Sequence, residues 1–385
     1  MLLENKEIAI IGGGPGGLTL ARLLQLKGAN VKVYERDFNS TVRVQGATLD
    51  LHFESGLKVI EEAGLMNVFK QTYRPGADKG RIIDINGNII YDEHTKESTE
   101  DFGSEYFRPE IDRGPLRNLL LNSLKPDTVV WDSQFKSMSQ LDNVWKIEFK
   151  NGTTATADII IGADGGNSKV KPYLTSLKNW FAGLVIVQGN VPNSEITTPK
   201  IHQLLKGGKT YSFDGRKYFI LSSKGDGSID FYVSCKKDEN WVQNSGINFS
   251  DKMQVLAWFK EEFKDWDSMW FELFENAELP LLLRPQYCMP LNETWDSKSN
   301  ITLLGDAAHL MPPSGEGVNL AMLDALDLTE CLTGNDFSSI ESAIAAYEKQ
   351  MQTRAVEDAK DSLEMADWMH GENAERKLLE MFGEL

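Results

Sequence analysis

Apolar residues along the chain follow two rhythms, and their alternation predicts an α/β fold. The first run, Ile8-Ala9-Ile10-Ile11, is short, β-branched and unbroken, as in a strand covered on both faces. Glycines follow, then a helical stripe through Leu18, Ala21, Leu24 and Leu26, then a strand from Asn30 to Tyr34 that ends on Glu35. A helix is expected from Glu54 to Ala63, closed by Gly64. Asn86-Gly87 stands between two apolar stretches, 81–85 and 88–91, and predicts a hairpin. Residues 93–106 are acidic and polar, and an exposed loop is expected there. Asp112 and Pro115 open a helix with the stripe Leu116, Leu119, Leu120 and Leu124. Short strands are expected around 128–132, 135–138 and 144–149, and Ile159-Ile160-Ile161 reads as another buried strand.

From Leu184 to Ser234 the rhythm changes to strict alternation. Segments 184–188, 210–213, 217–221 and 228–233 are separated by glycine turns, which predicts a mixed or antiparallel sheet with one covered face. A helix is expected over 250–263. The α/β pattern then returns with a strand over 300–304 and a helix after Gly317 through Leu320, Leu323, Leu326 and Leu328. From Ser339 the pattern is one long helix to Met369, followed by a short terminal helix.

Composition narrows the class. The chain has 385 residues, enough for two sizeable cores, and its 41% hydrophobic and 25% charged residues suit a globular protein. Forty Lys and Arg against 57 Asp and Glu give a net charge of −17, which argues against a nucleic-acid or anionic-membrane surface. Cys235, Cys288 and Cys331 are far apart and lack metal-ligand or disulfide-framework spacing, so no metal site is expected. The charged N-terminal residues and the lack of an apolar run long enough to span a bilayer lead to an expected cytoplasmic location.

The candidate chemistry sits where strands meet glycines. Gly12, Gly14 and Gly17 form G-x-G-x-x-G between strand and helix: one glycine for the tight turn, one for close approach of a pyrophosphate, one for helix–strand packing. The helix N-terminus then faces the phosphates, and Glu35 lies at the distance expected of a ribose-binding acid. Arg113 and Arg117 stand one turn apart at the positive end of their helix, an unfavourable place that a nearby anionic phosphate would explain. Asp164 lies in a glycine turn after a buried strand. Gly315 and Gly317 precede another helix N-terminus aimed at a ligand.

Three motifs in order, G-x-G-x-x-G with Glu35-Arg36, then Gly162-Ala163-Asp164-Gly165 with Ser168 and Val170, then Gly305-Asp306-Ala307-Ala308-His309 with Pro312, resemble the para-hydroxybenzoate hydroxylase-like, FAD-dependent aromatic hydroxylases. Arg113 and Leu116 match that family's Arg-x-x-Leu helix. Ala47-Thr48-Leu49-Asp50-Leu51-His52, the stretch from Asp164 to Val170, and Gly305 to Pro313 are most similar to the tetracycline-inactivating flavin monooxygenases. The resemblance implies a Rossmann-like FAD-binding domain (1–75, 105–178 and 285–335), an inserted mixed-sheet substrate domain (76–104 and 179–284) and a C-terminal bridging helix (336–385).

It also implies a site. Gly12, Gly14 and Gly17 would take the pyrophosphate and Glu35 the adenosine ribose, with Arg36 beside it. Arg113 and Asp306 would serve the pyrophosphate and ribityl region, Asp50 the flavin, and Arg43 the NADPH encounter. Asp164 would serve both cofactors, and Gly315 and Gly317 the flavin pyrimidine. Arg117, Pro313 and Val318 complete the cofactor set, and no catalytic base is assigned; a structural or flavin-side role is expected of His309. Gln188 matches a substrate-pocket glutamine. Lys209 and Asp230 stand where the tetracycline enzymes carry an arginine and a histidine, and Lys171 replaces an arginine. Met365 and Met369, with Trp368, would line the pocket from the C-terminal helix, and Trp180, Phe181, Phe213, Phe219 and Phe382 are further candidates. In such enzymes NADPH reduces FAD, O₂ adds at flavin C4a, and the peroxyflavin passes one oxygen atom to an electron-rich carbon. The implied activity is tetracycline hydroxylation and inactivation by a monomer acting on a small aromatic substrate. The alternatives are a hydroxylase of another phenol or polyketide, and a flavin-binding sequestering or sensor protein without turnover.

Overall fold

The computed structural model describes residues 2–41, 46, 48–96 and 100–383. Five strands pair in parallel, in the order β17 (Ile301–Leu303), β11 (Ile159–Gly162), β1 (Glu7–Ile11), β2 (Asn30–Tyr34) and β7 (Val129–Val130). Strands β17, β11 and β1 are buried almost throughout, while β2 and β7 are partly open, and helices Pro15–Leu26 and Gly317–Thr333 pack in the same core. A three-stranded antiparallel sheet, β8 (Phe135–Leu141), β9 (Val144–Phe149) and β10 (Thr154–Ala157), joins the same core through Phe135, Trp145, Ile147 and Phe149. This is the α/β, Rossmann-like unit that the apolar pattern predicts.

The second body is a seven-stranded sheet in the order β16 (Leu282–Cys288), β12 (Trp180–Val191), β15 (Ile229–Lys236), β14 (Lys217–Ser223), β13 (Lys209–Phe213), β4 (Gly80–Ile83) and β5 (Ile89–Asp92). All its pairs are antiparallel except β13 with β4. Alternation sends Val187, Phe219, Leu221, Phe231 and Val233 to one face, where helices Lys252–Glu262 and Phe271–Asn276 cover them. An aromatic cluster fills this layer, with Phe259 and Phe274 stacked at 4.1 Å. Phe219 belongs here, fully buried, and not with the pocket aromatics. The opposite face follows from register: Lys209 pairs Ser222, which pairs Asp230, while Tyr211, Ile220, Tyr232 and Gln188 form the next row.

A two-stranded ladder, β3 (Leu49–Asp50) with β6 (Glu110–Ile111), lies between the large sheets. The long C-terminal helix spans Ile340–Met369, about 45 Å at 1.5 Å per residue. Ser339 starts it with a reciprocal capping box to Ser342. Ile344, Tyr347 and Met351 pack on the parallel-sheet core, and Met369 packs with Phe213 and Tyr218 on the seven-stranded sheet.

Three details depart from the sequence pattern. Asp112 precedes its helix, but its carboxylate bonds Gly225 N and Arg74 and does not cap. The polar stretch after residue 93 is held at its far end by Phe102, which packs edge-on against Tyr73 and Phe107. Edge strand β16 is not apparent in the sequence because Pro285 and Arg284 interrupt its alternation. Among the described residues no helix is long and apolar enough to cross a membrane.

Candidate functional site

The glycine turn after β1 is shaped by what it excludes. Gly12 has φ +114°, and a Cβ there would lie 2.2 Å from Ala163 O. A Cβ on Gly17 would meet Gly12 O at the same distance, whereas one on Gly14 would meet nothing within 4 Å. Two of the glycines therefore allow close packing, and the third leaves a space at the helix N-terminus that suits a pyrophosphate. Glu35 is buried at the end of β2 and accepts from Gly13 N at 2.5 Å and Asp37 N at 3.0 Å. Arg36 is exposed. Arg43 lies outside the described residues.

The two arginines of the helix Arg113–Asn122 have different surroundings. Arg117 is buried, donates to Asp37 Oδ2 and Ser40 O at 3.0 Å, and stands over the Trp131 ring. It fixes the segment after β2. Arg113 is exposed, and its charge acts on both Asp306 and Asp230. Asp306 is exposed, and desolvation by the surrounding protein raises its carboxyl above the usual range, against the pull of His309 and Arg113. Asp164 accepts from Ser168 Oγ and Lys169 N, both at 2.6 Å, and so organises its turn; burial raises its carboxyl despite these bonds. Pro313, Gly315 and Gly317 are exposed, Val318 is buried, and Gly315 has φ +96°.

Behind this loop Asp50 and Lys209 meet Asn319, His52, Glu316 and Glu110, to which the sequence assigned no role. Asn319, fully buried, accepts from His52 N and Gly56 N and donates to Asp50 O at 3.0 Å, tying the helix Gly317–Thr333 to β3. The His52 ring stands between Asp50 Oδ2 at 2.9 Å and Glu316 Oε1 at 3.1 Å. With a carboxylate on each ring nitrogen, the geometry calls for an imidazolium. Burial disfavours that charge, but the two carboxylates raise His52 to about 9. Burial likewise opposes Asp50's charge, yet His52 and Lys209 bring it to about 2. Lys209 is committed to Glu110 in a close ion pair. Burial pulls its amine down, and Glu110 and Asp50 outweigh it, so the net shift is upward. An asparagine inside an apolar helix start was the available sequence signal for Asn319; Glu110 and Glu316 carried none.

His309 is buried 2.6 Å from Asp324, which also accepts from Gly305 N and Arg354. Lys171 reaches Asn179 Oδ1 and Ala308 O from a buried position. On the sheet's polar face Gln188 Nε2 donates to Asp230 Oδ2 at 2.8 Å, and Tyr232 Oη donates to the same oxygen at 3.0 Å. Asp230 is buried, which raises its carboxyl even against Lys224 and these bonds. A Cβ on Gly46 would lie 3.3 Å from Gln188 Nε2 and 3.5 Å from Arg113 Nε, so the sheet's polar face adjoins Arg113. Met369 is buried among Phe213, Tyr218 and Leu378, with Met365, Trp368 and Phe382 packed around them. Trp180 is exposed and bonds Met289 O, while Phe181 contacts Tyr287.

The family pattern described as "FAD binding domain" matches residues 5–246 and 291–356. Monooxygenase penA of Penicillium thymicola is 26% identical over 409 aligned positions, covering 91% of this chain and 92% of its own. The fold superposes on Klebsiella pneumoniae HpxO, solved with FAD and uric acid, with TM-score 0.75 at 21% identity, covering 99% of this chain and 92% of that one. It also superposes on tetracycline destructase Tet(51), with TM-score 0.73 at 20% identity, covering 97% and 94%. With the open space at Gly14 at the helix start, the match gives the site its cofactor: the chain belongs to the FAD binding domain family and is an FAD-dependent monooxygenase of the para-hydroxybenzoate hydroxylase-like group.

Proposed function

We propose that this monooxygenase consumes NADPH and hydroxylates a flat polycyclic phenol or enol, with tetracyclines as the substrate class. The observation that carries the reading is Arg113, which neighbours both Asp306 on the cofactor side and Asp230 in the polar face of the seven-stranded sheet. One arginine would thus stand between the cofactor and the substrate. Bound FAD supplies the activation of O₂ for transfer of one oxygen atom. The chain's own residues do the rest. The helix start at Gly14 and the Arg113 guanidinium hold the pyrophosphate, and Glu35 receives the adenosine ribose at the end of β2. The backbone N–H groups around Gly315 and Gly317 would serve the flavin pyrimidine, and Asp50 lies beside Gly315. Gln188 orients the substrate, and Met365 keeps water from the reacting carbon. Residues 76–104 and 179–284 form the substrate-binding part, and 336–385 bridge it to the cofactor part.

A second reading is favoured by Asp230 and Lys209. A buried carboxylate, and a lysine already paired with Glu110, offer different partners from those of an arginine and histidine. Under that reading the substrate is another phenol or polyketide. The test is NADPH oxidation by FAD-loaded protein with and without a tetracycline, with the product mass recorded. Faster oxidation and a product heavier by one oxygen atom support the first reading. Faster oxidation with peroxide and unchanged drug supports the second. No stimulation removes tetracyclines as substrates.

A further inference from the structure

Three neighbouring strands of the seven-stranded sheet set a cation, an amide and a carboxylate side by side on the polar face. Arg284, on edge strand β16, donates Nε–H to Gln188 Oε1 at 2.6 Å. Gln188 passes the link on through Nε2 to Asp230 Oδ2. An amide has one acceptor end and one donor end, so the cation and the anion fix its orientation and the polarity of the whole row. Both bonds that reach Asp230 land on Oδ2, from Gln188 and from Tyr232; Oδ1 takes none from the described residues, and it is not among the sealed, unpartnered atoms. At the other end Arg284 is exposed, and only its Nε is engaged among the described residues. Leu282, on the same face of β16, is 49% exposed and offers an apolar surface next to that guanidinium. Nothing in the sequence pattern marks Arg284.

We infer that Arg284 is a substrate-specificity residue, and that the Arg284–Gln188–Asp230 row selects a flat molecule bearing an anionic oxygen for Arg284 and an ammonium or hydroxyl donor for Asp230 Oδ1. The inference rests on the hydroxylase reading for the identity of the cleft. It goes further by stating the charge pattern of the ligand: a zwitterion, or an enolate with a donor beside it. A planar guanidinium with free Nη groups suits an enolate or carboxylate, and the low exposure of Asp230 makes an unpaired partner costly. Neutral aromatics of the same size leave both ends of the row unmatched.

FAD-loaded wild type, Arg284→Met and Asp230→Asn would be titrated with tetracycline and with its analogue lacking the C4 dimethylamino group. The dissociation constant is read from the change in flavin absorbance, and KM and kcat are measured alongside. Arg284→Met is expected to weaken binding of both compounds about tenfold, in KM and not in kcat. Asp230→Asn is expected to erase the wild type's preference for the compound that carries the dimethylammonium. Arg284 lies exposed on an edge strand, so its variant keeps the wild-type melting temperature and remains informative if the buried Asp230 variant fails to fold. Equal affinity of Arg284→Met and wild type for both compounds overturns the inference, as does absence of binding of either to wild type. Binding with the expected dependence but without an oxygenated product upholds the row and removes tetracycline hydroxylation instead.

Discussion

At the scale of single residues the site is governed by which charges are already spoken for. Lys209 faces Glu110 and Asp50, so the charge that replaces an arginine is already paired within the protein. His52 shows how such commitments respond to pH. In an unfolded chain its imidazole titrates near 6.5; in the fold Asp50 and Glu316 raise it to about 9. A raised pKa contributes stability that is fully present below 6.5 and is lost as pH rises through 9. Asp50 has the opposite sign: its depressed value contributes above 3.8 and is lost as pH falls toward 2. Lys209 and Glu110 act on this pair through Asp50, and Asp358 acts through Glu316. The expected outcome is a melting temperature for the FAD-loaded protein that falls between pH 7 and pH 10. His52→Gln would have a lower melting temperature at pH 7 and a flatter fall, measured by thermal melts across that range. Parallel curves for the two proteins would show that the imidazolium contributes nothing.

At the scale of elements, legibility followed the period of the pattern. The helix Ile340–Met369 was readable to within a residue because Ser339 caps it and its stripe is long. Strands β1 and β11, and the helix Gly317–Thr333, were equally plain, since apolar runs next to glycines admit few alternatives. What stayed hidden depended on pairing between distant segments. The hairpin β4–β5 was visible, but its parallel join to β13 was not, and neither was the pairing of Arg117 with Asp37 across 80 positions. Within the site, the glycines and Asp306 announced themselves by motif, whereas Arg284 and Glu110 became meaningful only through their neighbours. Asp324 is the clearest such case. It is fully buried and accepts from Gly305 N at 2.8 Å, His309 at 2.6 Å and Arg354 at 2.7 Å, joining the turn after β17 to the long helix. His309 is held at a raised pKa against its burial by this carboxylate. Asp324→Asn would take away the carboxylate that Gly305 N, His309 and Arg354 share and leave the Arg354 guanidinium facing an amide, and a loss of about 3–5 kcal/mol in urea unfolding is expected. Arg354→Met should cost less, because Arg354 is partly exposed and Asp324 keeps His309. A neutral Asp324→Asn would mean that the network is dispensable.

At the scale of the whole molecule, the two sheets bury separate cores, and one helix touches both. Its first turns pack Tyr347 and Met351 into the parallel-sheet core; its middle sets Ala355 and Ala359 against Cys288 and Met289; its end places Met369 on the seven-stranded sheet. His370, just past the helix, continues the contact by meeting Ser234 Oγ at 3.0 Å. The helix therefore acts as a strut between the two sheets. Lys360 is exposed and lies beyond Ala359 on the way to the seven-stranded sheet, so a change there removes no core contact. Proline at this position removes one main-chain hydrogen bond and kinks the helix, at a cost of about 3 kcal/mol. If the strut sets the spacing, Lys360→Pro keeps its FAD, because the glycine turn belongs to other elements and Arg354, which ties the long helix to the turn before Asp306 through Asp324, precedes the kink, but it admits water where the substrate should be held. The expected signature is preserved flavin content with a larger share of reducing equivalents released as hydrogen peroxide, measured against oxygenated product in the same assay. Lys360→Ala, which favours the helix, serves as the control and should match the wild type. A proline variant that loses FAD along with activity would instead make the helix part of the cofactor fold. One with unchanged coupling would make the two sheets rigid without it.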